Sequence, residues 1–257
     1  PVMKHLFSVL TAFALLSVAA QEHTHYASEP FAFPDIPGYT TLVTDLHQHT
    51  VFSDGSVWPD IRVMEALREG VDVISLTEHL EYQPHGEDIP HPDRNRSYQI
   101  ALQEAEDHDL LLVHGSEITR QAPMGHSNAI FISDANPLLA KDPEVPFAEA
   151  RKQGAFVFWN HPGWRQPDEI PIWYSEHSWL LEQGLIQGVE IVNERSYYPL
   201  AHEWALDSGL IIIGNSDIHD PADKFYNKCE GEHRAVTLVF AEEKTTAGIK
   251  EAILAGR

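Results

Sequence analysis

Cysteine and positive charge are both scarce in this sequence. Its 257 residues include one Cys, and 17 Lys or Arg stand against 39 Asp or Glu, which gives a formal net charge of -22. A lone cysteine can form neither an internal disulfide nor a thiolate zinc site. Nucleic acids and anionic membranes are bound mainly through clustered Lys and Arg. We therefore expect neither of these partners.

The sequence also lacks an apolar run long enough to span a membrane. The run over residues 6–20 follows Lys4 and is short of the roughly 20 residues that a spanning helix needs. A basic residue, a short apolar run and small residues before position 21 are typical of an export signal. We therefore predict a signal peptide over residues 1–20, with a buried N-terminal helix as the alternative. A Pro-rich linker would follow over residues 21–39, and the product would be soluble and periplasmic or secreted.

From residue 40 onward, short β-branched runs alternate with amphipathic segments. This alternation is typical of βα units, and nearly continuous apolar runs favour strands that are buried on both faces. The predicted strands are 41–46, 71–76, 110–118, 129–132, 155–159, 189–192, 210–214 and 235–240. Because no internal linker interrupts them, we predict a single α/β domain over residues 40–257 that forms a TIM-like barrel.

Histidine is abundant, with 16 residues in the chain. Several histidines and carboxylates follow predicted strands, and the carboxyl ends of the strands of a parallel barrel lie on one face. One of them, His126, instead precedes a strand, but the link over residues 119–128 is too short for a crossover helix. An antiparallel hairpin would return His126 to the same face. The residues predicted to converge there are His47, His49, Asp54, His79, Glu117, His126, His161, Asp217 and His219.

Nine such side chains at one face predict a metal site. Taken singly, each histidine is more often a surface or capping residue than a ligand. Burying the whole set unpaired would be costly, and bound cations offset that cost. Imidazole and carboxylate ligands without sulfur favour Zn²⁺, Mn²⁺ or Fe²⁺. Because nine ligands exceed what one ion can use, we expect two to three divalent transition-metal ions.

Seven short motifs carry a resemblance to a known family. They are DLHQHT (45–50), SDG (53–55), TEH (77–79), GSE (115–117), GHSN (125–128), NHP (160–162) and SDIH (216–219). In their order and spacing, over residues 41–240, they resemble the polymerase and histidinol phosphatase (PHP) domain superfamily of metal-dependent phosphoesterases. The resemblance implies a distorted (β/α)7 barrel that holds up to three metals at the carboxyl ends of its strands.

The resemblance also implies how the ligands are shared among the ions. The first ion would be bound by His47, His49, Glu117 and Asp217. Glu117 would bridge to a second ion held by His126 and His161, and the third would be bound by Asp54, His79 and His219. Two departures from the family pattern concern the third site, since some members have His in place of Asp54 and the usual TDH motif is TEH here.

The implied activity is hydrolysis of phosphoester bonds in small organic phosphates by a metal-activated water. Asp217 and His219 would be the catalytic residues, with either His219 or a water on the third ion as the proton donor to the leaving group. Arginines near the predicted barrel mouth are candidates for binding the substrate phosphate, although exposed arginines in an acidic protein often form surface ion pairs instead. These candidates are Arg94, Arg96, Arg165 and Arg195.

Two other functions remain open at the level of sequence. Amidohydrolase barrels also use an HxH motif and a late-strand Asp to hydrolyse non-phosphate bonds, but no metal-bridging Lys is evident at a strand end. The chain could also be a non-catalytic metal-binding or polymerase-associated module, and here the predicted export and the net charge count against a role in DNA replication. The polar segment 80–96 is either a substrate-selecting lid or a solvated surface loop. The sequence indicates no oligomeric state.

Overall fold

The computed structural model describes residues 30–257. The predicted signal peptide and residues 21–29 of the predicted linker lie outside the described residues. Among the helices of the described part, none is long and apolar enough to cross a membrane.

Nine strands form one curled sheet in the described part of the chain. They are β1 (Thr40–Gln48), β2 (Val73–Leu76), β3 (Leu111–Thr119), β4 (His126–Ile130), β5 (Phe156–Trp159), β6 (Gly188–Asn193), β7 (Ser196–Tyr197), β8 (Ile211–Asn215) and β9 (Thr237–Ala241). Their order is β7-β6-β5-β4-β3-β2-β1-β9, and β8 pairs with β6. A hydrogen bond of 2.8 Å from the Leu46 amide to Oδ1 of Asn215 brings β8 against β1. This mixed α/β architecture is consistent with a TIM-like barrel.

Seven α-helices accompany the sheet between residues 30 and 257. They are α1 (Pro59–Glu69), α2 (Arg96–Asp107), α3 (Val145–Lys152), α4 (Ser175–Glu182), α5 (Pro199–Ser208), α6 (Ala222–Phe225) and α7 (Thr246–Leu254).

Neighbouring residues of the first strands pack into two different apolar clusters. Val43 and Ile74 pack in a cluster with residues of α1 and α2. Their neighbours Leu42 and Val73 pack in a second cluster, which includes Ile249 and other residues of α7. Since successive side chains of a strand point to opposite faces, these strands are buried on both faces, as predicted.

The direction of the strands departs from a simple parallel repeat at three strands, β4, β7 and β9. β3 and β4 are antiparallel, with Thr119 opposite His126, so the predicted hairpin is confirmed. β9 also runs antiparallel to β1. The chain between β8 and β9 contains only the four-residue α6 and a short 3-10 turn. β9 thus enters the sheet antiparallel to β1 after a connection that contains no long helix.

Candidate metal centre

The structure brings all nine predicted ligands together. Their nitrogen and oxygen atoms form four overlapping groups, and the atoms within each group lie within 4.8 Å of one another. The groups are His47, His49 and Glu117; His47, His161 and Asp217; His79, Glu117 and His126; and His49, Asp54, His79 and His219. Each of the nine residues belongs to at least one group.

The ends of β1 and β8 position the first pair of histidines. His47 and His49 are two residues apart, so their side chains point to the same side of the extended chain. The amide of Asp217, just after β8, donates to the carbonyl oxygen of His47 at 2.9 Å. Oδ1 of Asp217 then lies 3.0 Å from Nε2 of His47 and 3.1 Å from Nε2 of His49. Three potential ligand atoms therefore surround one point.

Glu117 lies at the centre of the cluster and is fully buried. Its Oε1 atom is 3.0 Å from Nδ1 of His126 and 3.5 Å from Nε2 of His161. Its Oε2 atom is 3.6 Å from Nε2 of His49 and contacts Nδ1 of His79. The two oxygens of this carboxylate thus face different histidines, which is the arrangement that a bridging ligand needs.

The remaining group lies at the mouth of the centre. Oδ1 of Asp54 is 3.2 Å from Nε2 of His219, and Oδ2 is 3.4 Å from Nε2 of His79. The side chain of Asp54 is 24% exposed and that of His219 is 34% exposed, whereas Glu117 is fully buried. This group is therefore the most accessible to solvent.

Several atoms of the cluster are left without a hydrogen bond. Nε2 of His126 is buried and has no hydrogen-bond partner among residues 30–257, and Oδ1 of Asp54 and Oδ1 of Asp217 form no well-aligned hydrogen bond with the histidine nitrogens close to them. Such atoms are rare in folded proteins because their desolvation is not compensated. Nitrogen and oxygen atoms with free lone pairs are suitable ligands for Zn²⁺, Mn²⁺ or Fe²⁺. The residues present therefore fit divalent transition-metal ions.

The charges of the centre in the absence of ions also favour divalent cations. Burial alone would raise the pKa of Glu117, but His79 and His126 hold it well below its ordinary value. Burial opposes protonation of His79, yet Glu117 and Asp54 raise its pKa to about 10. Burial and repulsion from His219 and His79 lower the pKa of His49 to about 3. Protonated histidines thus balance the buried carboxylates, and divalent ions would replace these protons.

Sequence reasoning missed a buried carboxylate that supports the ligands. This residue is Glu190 of β6. Its Oε1 atom is 2.9 Å from Nδ1 of His47, and its Oε2 atom accepts a hydrogen bond of 2.9 Å from the amide of His161. It also accepts hydrogen bonds from the side-chain amides of Asn193 and Asn215. The only signal was a single acidic residue within the apolar run 189–192.

The TEH motif contributes a second supporting carboxylate. Glu78 is buried and accepts hydrogen bonds from the hydroxyl of Thr50 at 2.6 Å and the hydroxyl of Ser53 at 2.5 Å. Thr50 directly follows His49, and Ser53 directly precedes Asp54. Glu78 therefore fixes the loop that carries two of the candidate ligands.

A cavity of about 730 Å³ opens above the centre. Six candidate ligands line it, namely Asp54, His79, His126, His161, Asp217 and His219. Arg165 also lines it, with its guanidinium 4.2 Å from the ring centroid of Trp164. The segment 80–96 contributes Glu81 and Tyr82 to the wall, so part of this segment faces the centre.

The other three arginines do not line this cavity in the described structure. Arg195 forms an ion pair of 2.6 Å with Glu232. Arg94 donates to Oε1 of Gln83 at 2.8 Å, and Arg96 is the exposed first residue of α2. The guanidinium of Arg195 is thus bound by a carboxylate and that of Arg94 by an amide oxygen, outside the cavity. The positions of the two arginines in the sequence do not reveal these partners.

Comparison with solved structures gives two informative likenesses. A two-domain protein from Bacteroides vulgatus ATCC 8482, which contains a predicted PHP-like metal-dependent phosphoesterase, is 50% identical with a TM-score of 0.87. The match covers 89% of this chain and 67% of that one. A proposed metal-dependent phosphoesterase from Bifidobacterium adolescentis ATCC 15703 is 16% identical with a TM-score of 0.56, over 83% of this chain and 96% of that one, and shares the fold alone. No family model and no curated protein matches the chain.

Proposed function

The chain belongs to the PHP-like metal-dependent phosphoesterases, and we propose that it hydrolyses phosphoester bonds in small organic phosphates. The observation that carries this proposal is the set of four overlapping ligand groups beneath a cavity of about 730 Å³. A cavity of that size accommodates a small molecule. The proposal includes a distorted (β/α)7 barrel with the metal site at the carboxyl ends of its strands.

We propose that the nine side chains hold two to three ions of Zn, Mn or Fe. His47, His49, Glu117 and Asp217 would hold the first, and Glu117, His126 and His161 the second. The third would be held by Asp54, His79 and His219. The central position of Glu117, with its two oxygens facing different histidines, supports its role as the bridge.

The chain's own residues have distinct tasks in this proposal. Bound divalent ions would supply an activated water at neutral pH and neutralise charge on the phosphoryl oxygens. Arg165 would orient the phosphoryl group from the cavity wall, since a guanidinium can donate two parallel hydrogen bonds to phosphate. His219 is partly exposed at the mouth of the centre; with two ions bound and the third site empty, it would donate a proton to the departing alkoxide. Asp217, just after the end of β8, would hold the first ion in place.

A substitution of Asp217 tests the proposal. The measurement is turnover of sugar phosphates, nucleotides, aryl mono- and diesters and histidinol phosphate by protein of known metal content. We expect the wild type to hydrolyse these phosphoesters. Turnover by Asp217→Asn should be lower by about 100-fold or more, because one metal ligand is removed. Asp207→Asn, on the exposed side of α5, is the matched control and should retain activity. Wild-type turnover by a metal-loaded Asp217→Asn variant would contradict the proposal.

The compartment is a further part of the proposal. If residues 1–20 are removed on export, the product isolated from the periplasm or medium should begin near Gln21. An exported enzyme meets nutrients and released metabolites, so we expect small organic phosphates to be preferred over histidinol phosphate. A cytosolic product with residues 1–20 intact would contradict the proposed export but not the proposed metal centre.

An amidohydrolase-like activity is the less favoured alternative. Among the described residues, no lysine lines the cavity above the centre. This argues against a lysine-bridged metal pair of the kind that such enzymes use.

A further inference from the structure

A second, smaller cavity adjoins the candidate metal centre. Its volume is about 270 Å³. It shares with the main cavity two candidate ligands, His126 and His161, and three further residues, Gln121, Trp164 and Arg165. The two cavities therefore adjoin along these five residues, beside the metal centre.

The two cavities differ in charge. The main cavity is lined by three glutamates outside the predicted ligand set, Glu81, Glu169 and Glu194. By contrast, the lining of the smaller cavity, as far as residues 30–257 describe it, contains two arginines, Arg120 and Arg165, and no Asp or Glu. In a chain with a net charge of -22, an anionic group meets the least repulsion in such a place.

Arg120 has an unused hydrogen-bond donor. Its Nη2 atom donates to the carbonyl oxygen of Ala140 and lies 3.3 Å from Oε1 of Glu81, so one end of the guanidinium is fixed. Its Nε atom is buried and has no hydrogen-bond partner in the described part of the chain. A buried donor of this kind is costly unless an acceptor binds it.

A second unpartnered atom lies at the boundary between the two cavities. Nε2 of His126 is buried and forms no hydrogen bond within residues 30–257, and the side chain of His126 is only 4% exposed. His126 lines both cavities. In the proposed function this atom is a ligand of the second ion, so the smaller cavity lies beside the place where the phosphoryl group would lie.

We propose that the smaller cavity binds a second anionic group of the substrate, a carboxylate or a phosphate, and that Arg120 recognises it. The inference rests on the proposed function, because it places the scissile phosphoryl group at the metal centre. The preferred substrates are then phosphoesters that carry another anionic group a few bonds away. Glu169 and Glu194 of the main cavity direct that group towards the arginines by repulsion, while the charge of Glu81 is offset by its ion pair with Arg120.

Matched substrates test this assignment. Phosphoglycolate and isobutyl phosphate have similar shapes, but only phosphoglycolate carries a carboxylate, and ethylene glycol bisphosphate carries a second phosphate instead. We expect Arg120→Gln to lower kcat/KM about tenfold for the substrate with the preferred second anion, the size of effect of one charge-assisted hydrogen bond. Isobutyl phosphate should change less than about twofold, and Arg120→Lys, which keeps the charge, should retain part of the preference.

The control is Arg151→Gln, an exposed arginine of α3 outside both cavities, which should alter none of the three rates. The inference is overturned if Arg120→Gln changes kcat/KM for all three substrates equally or for none of them. The comparison of phosphoglycolate with ethylene glycol bisphosphate decides whether the cavity accepts a carboxylate or a phosphate.

A binding measurement separates this inference from the proposed function. Phosphonoacetate and isobutylphosphonate are not hydrolysed as esters, so calorimetry on the metal-loaded protein reports binding alone. Wild-type protein should bind phosphonoacetate, or ethylene bisphosphonate if phosphate is the preferred anion, about tenfold more tightly than isobutylphosphonate, and Arg120→Gln should lose this difference. If no ester is hydrolysed but this difference appears, the proposed function fails and the anion subsite stands. Equal binding of the charged and neutral phosphonates by the wild type would overturn the subsite.

Discussion

At the scale of single residues, the candidate ligands depend on neighbours that orient them. His47 has two ring nitrogens, and Nδ1 lies 2.9 Å from the carboxylate of Glu190. When Nδ1–H donates to that carboxylate, the lone pair of Nε2 faces Asp217 and the centre of the cluster. Carboxylates in this position commonly fix the tautomer and orientation of a ligating histidine.

Substituting Glu190 should weaken metal binding without removing a ligand. In Glu190→Gln the negative charge is lost. The NH2 group of the new side chain would also face the side-chain amides of Asn193 and Asn215, which donate hydrogen bonds to Glu190 in the wild type. We expect the metal affinity to fall by about 10–100-fold, measured by titration with a competing chelator. Glu182→Gln, an exposed change at the end of α4, should leave it unchanged. Equal affinities of the two variants would contradict this role.

Some residues of the site could be predicted from the sequence and others could not. The nine candidate ligands could be predicted because each follows or precedes a recognisable strand within a short motif. Glu190 could not, because it lies inside an apolar run rather than at its end. Arg195 was expected near the substrate from its place after β6, but its guanidinium is bound by Glu232. The direction of a long flexible side chain depends on tertiary partners that the local sequence does not contain.

At the scale of elements, helix α1 joins the loops that carry the ligands. Arg62 of α1 is fully buried. It donates to the carbonyl oxygens of His49, Ile218 and His219, and forms an ion pair of 2.7 Å with Glu65. This guanidinium thereby adds to the backbone hydrogen bonds that hold the loops after β1 and β8 against one another.

Removing this guanidinium should therefore be costly. Arg62→Met leaves Glu65 and several carbonyl groups buried without their donor, and we expect the free energy of unfolding to fall by about 3–5 kcal/mol. Arg68→Gln on the same helix breaks an exposed ion pair with Asp223 and should cost less than about 1 kcal/mol. Urea denaturation of both metal-free variants measures the difference. Similar losses in the two variants would show that Arg62 is not the joint between the loops.

The elements themselves were largely predictable. Eight of the nine strands were expected from apolar runs, and the β3–β4 hairpin followed from the length of its link. β7 was missed because it contains only Ser196 and Tyr197, both exposed, and so has no apolar pattern. The antiparallel entry of β9 was missed because an apolar run looks the same in the sequence whichever way its strand points.

At the scale of the whole molecule, the protonation of the metal-free centre makes stability depend on pH. The pKa of His79 is raised from 6.5 to about 10, and that of His219 from 6.5 to about 9. A group whose pKa is higher in the folded state than in the unfolded state stabilises the fold below the unfolded value, and this contribution is lost as pH rises through the folded value. His49, with a pKa of about 3 in the folded protein, opposes this trend only near pH 6.5, where its unfolded form is still partly protonated, and contributes nothing once that form is neutral.

We therefore expect the Tm of the metal-free protein to fall as pH rises from about 6.5 to about 10. Bound ions replace these protons and bind more tightly as histidines deprotonate, so the Tm of the metal-loaded protein should fall less over the same range. Thermal unfolding with and without chelator measures both curves. Parallel curves would contradict the assignment of these histidines to the metal centre.

The central claim is that nine side chains from widely separated strand ends form one multinuclear metal centre. Elemental analysis of the protein, as purified and after reconstitution with Zn, Mn or Fe, tests it most directly. The account predicts two to three ions per chain, removed by chelator together with hydrolytic activity. One ion per chain, or none, after reconstitution would contradict it.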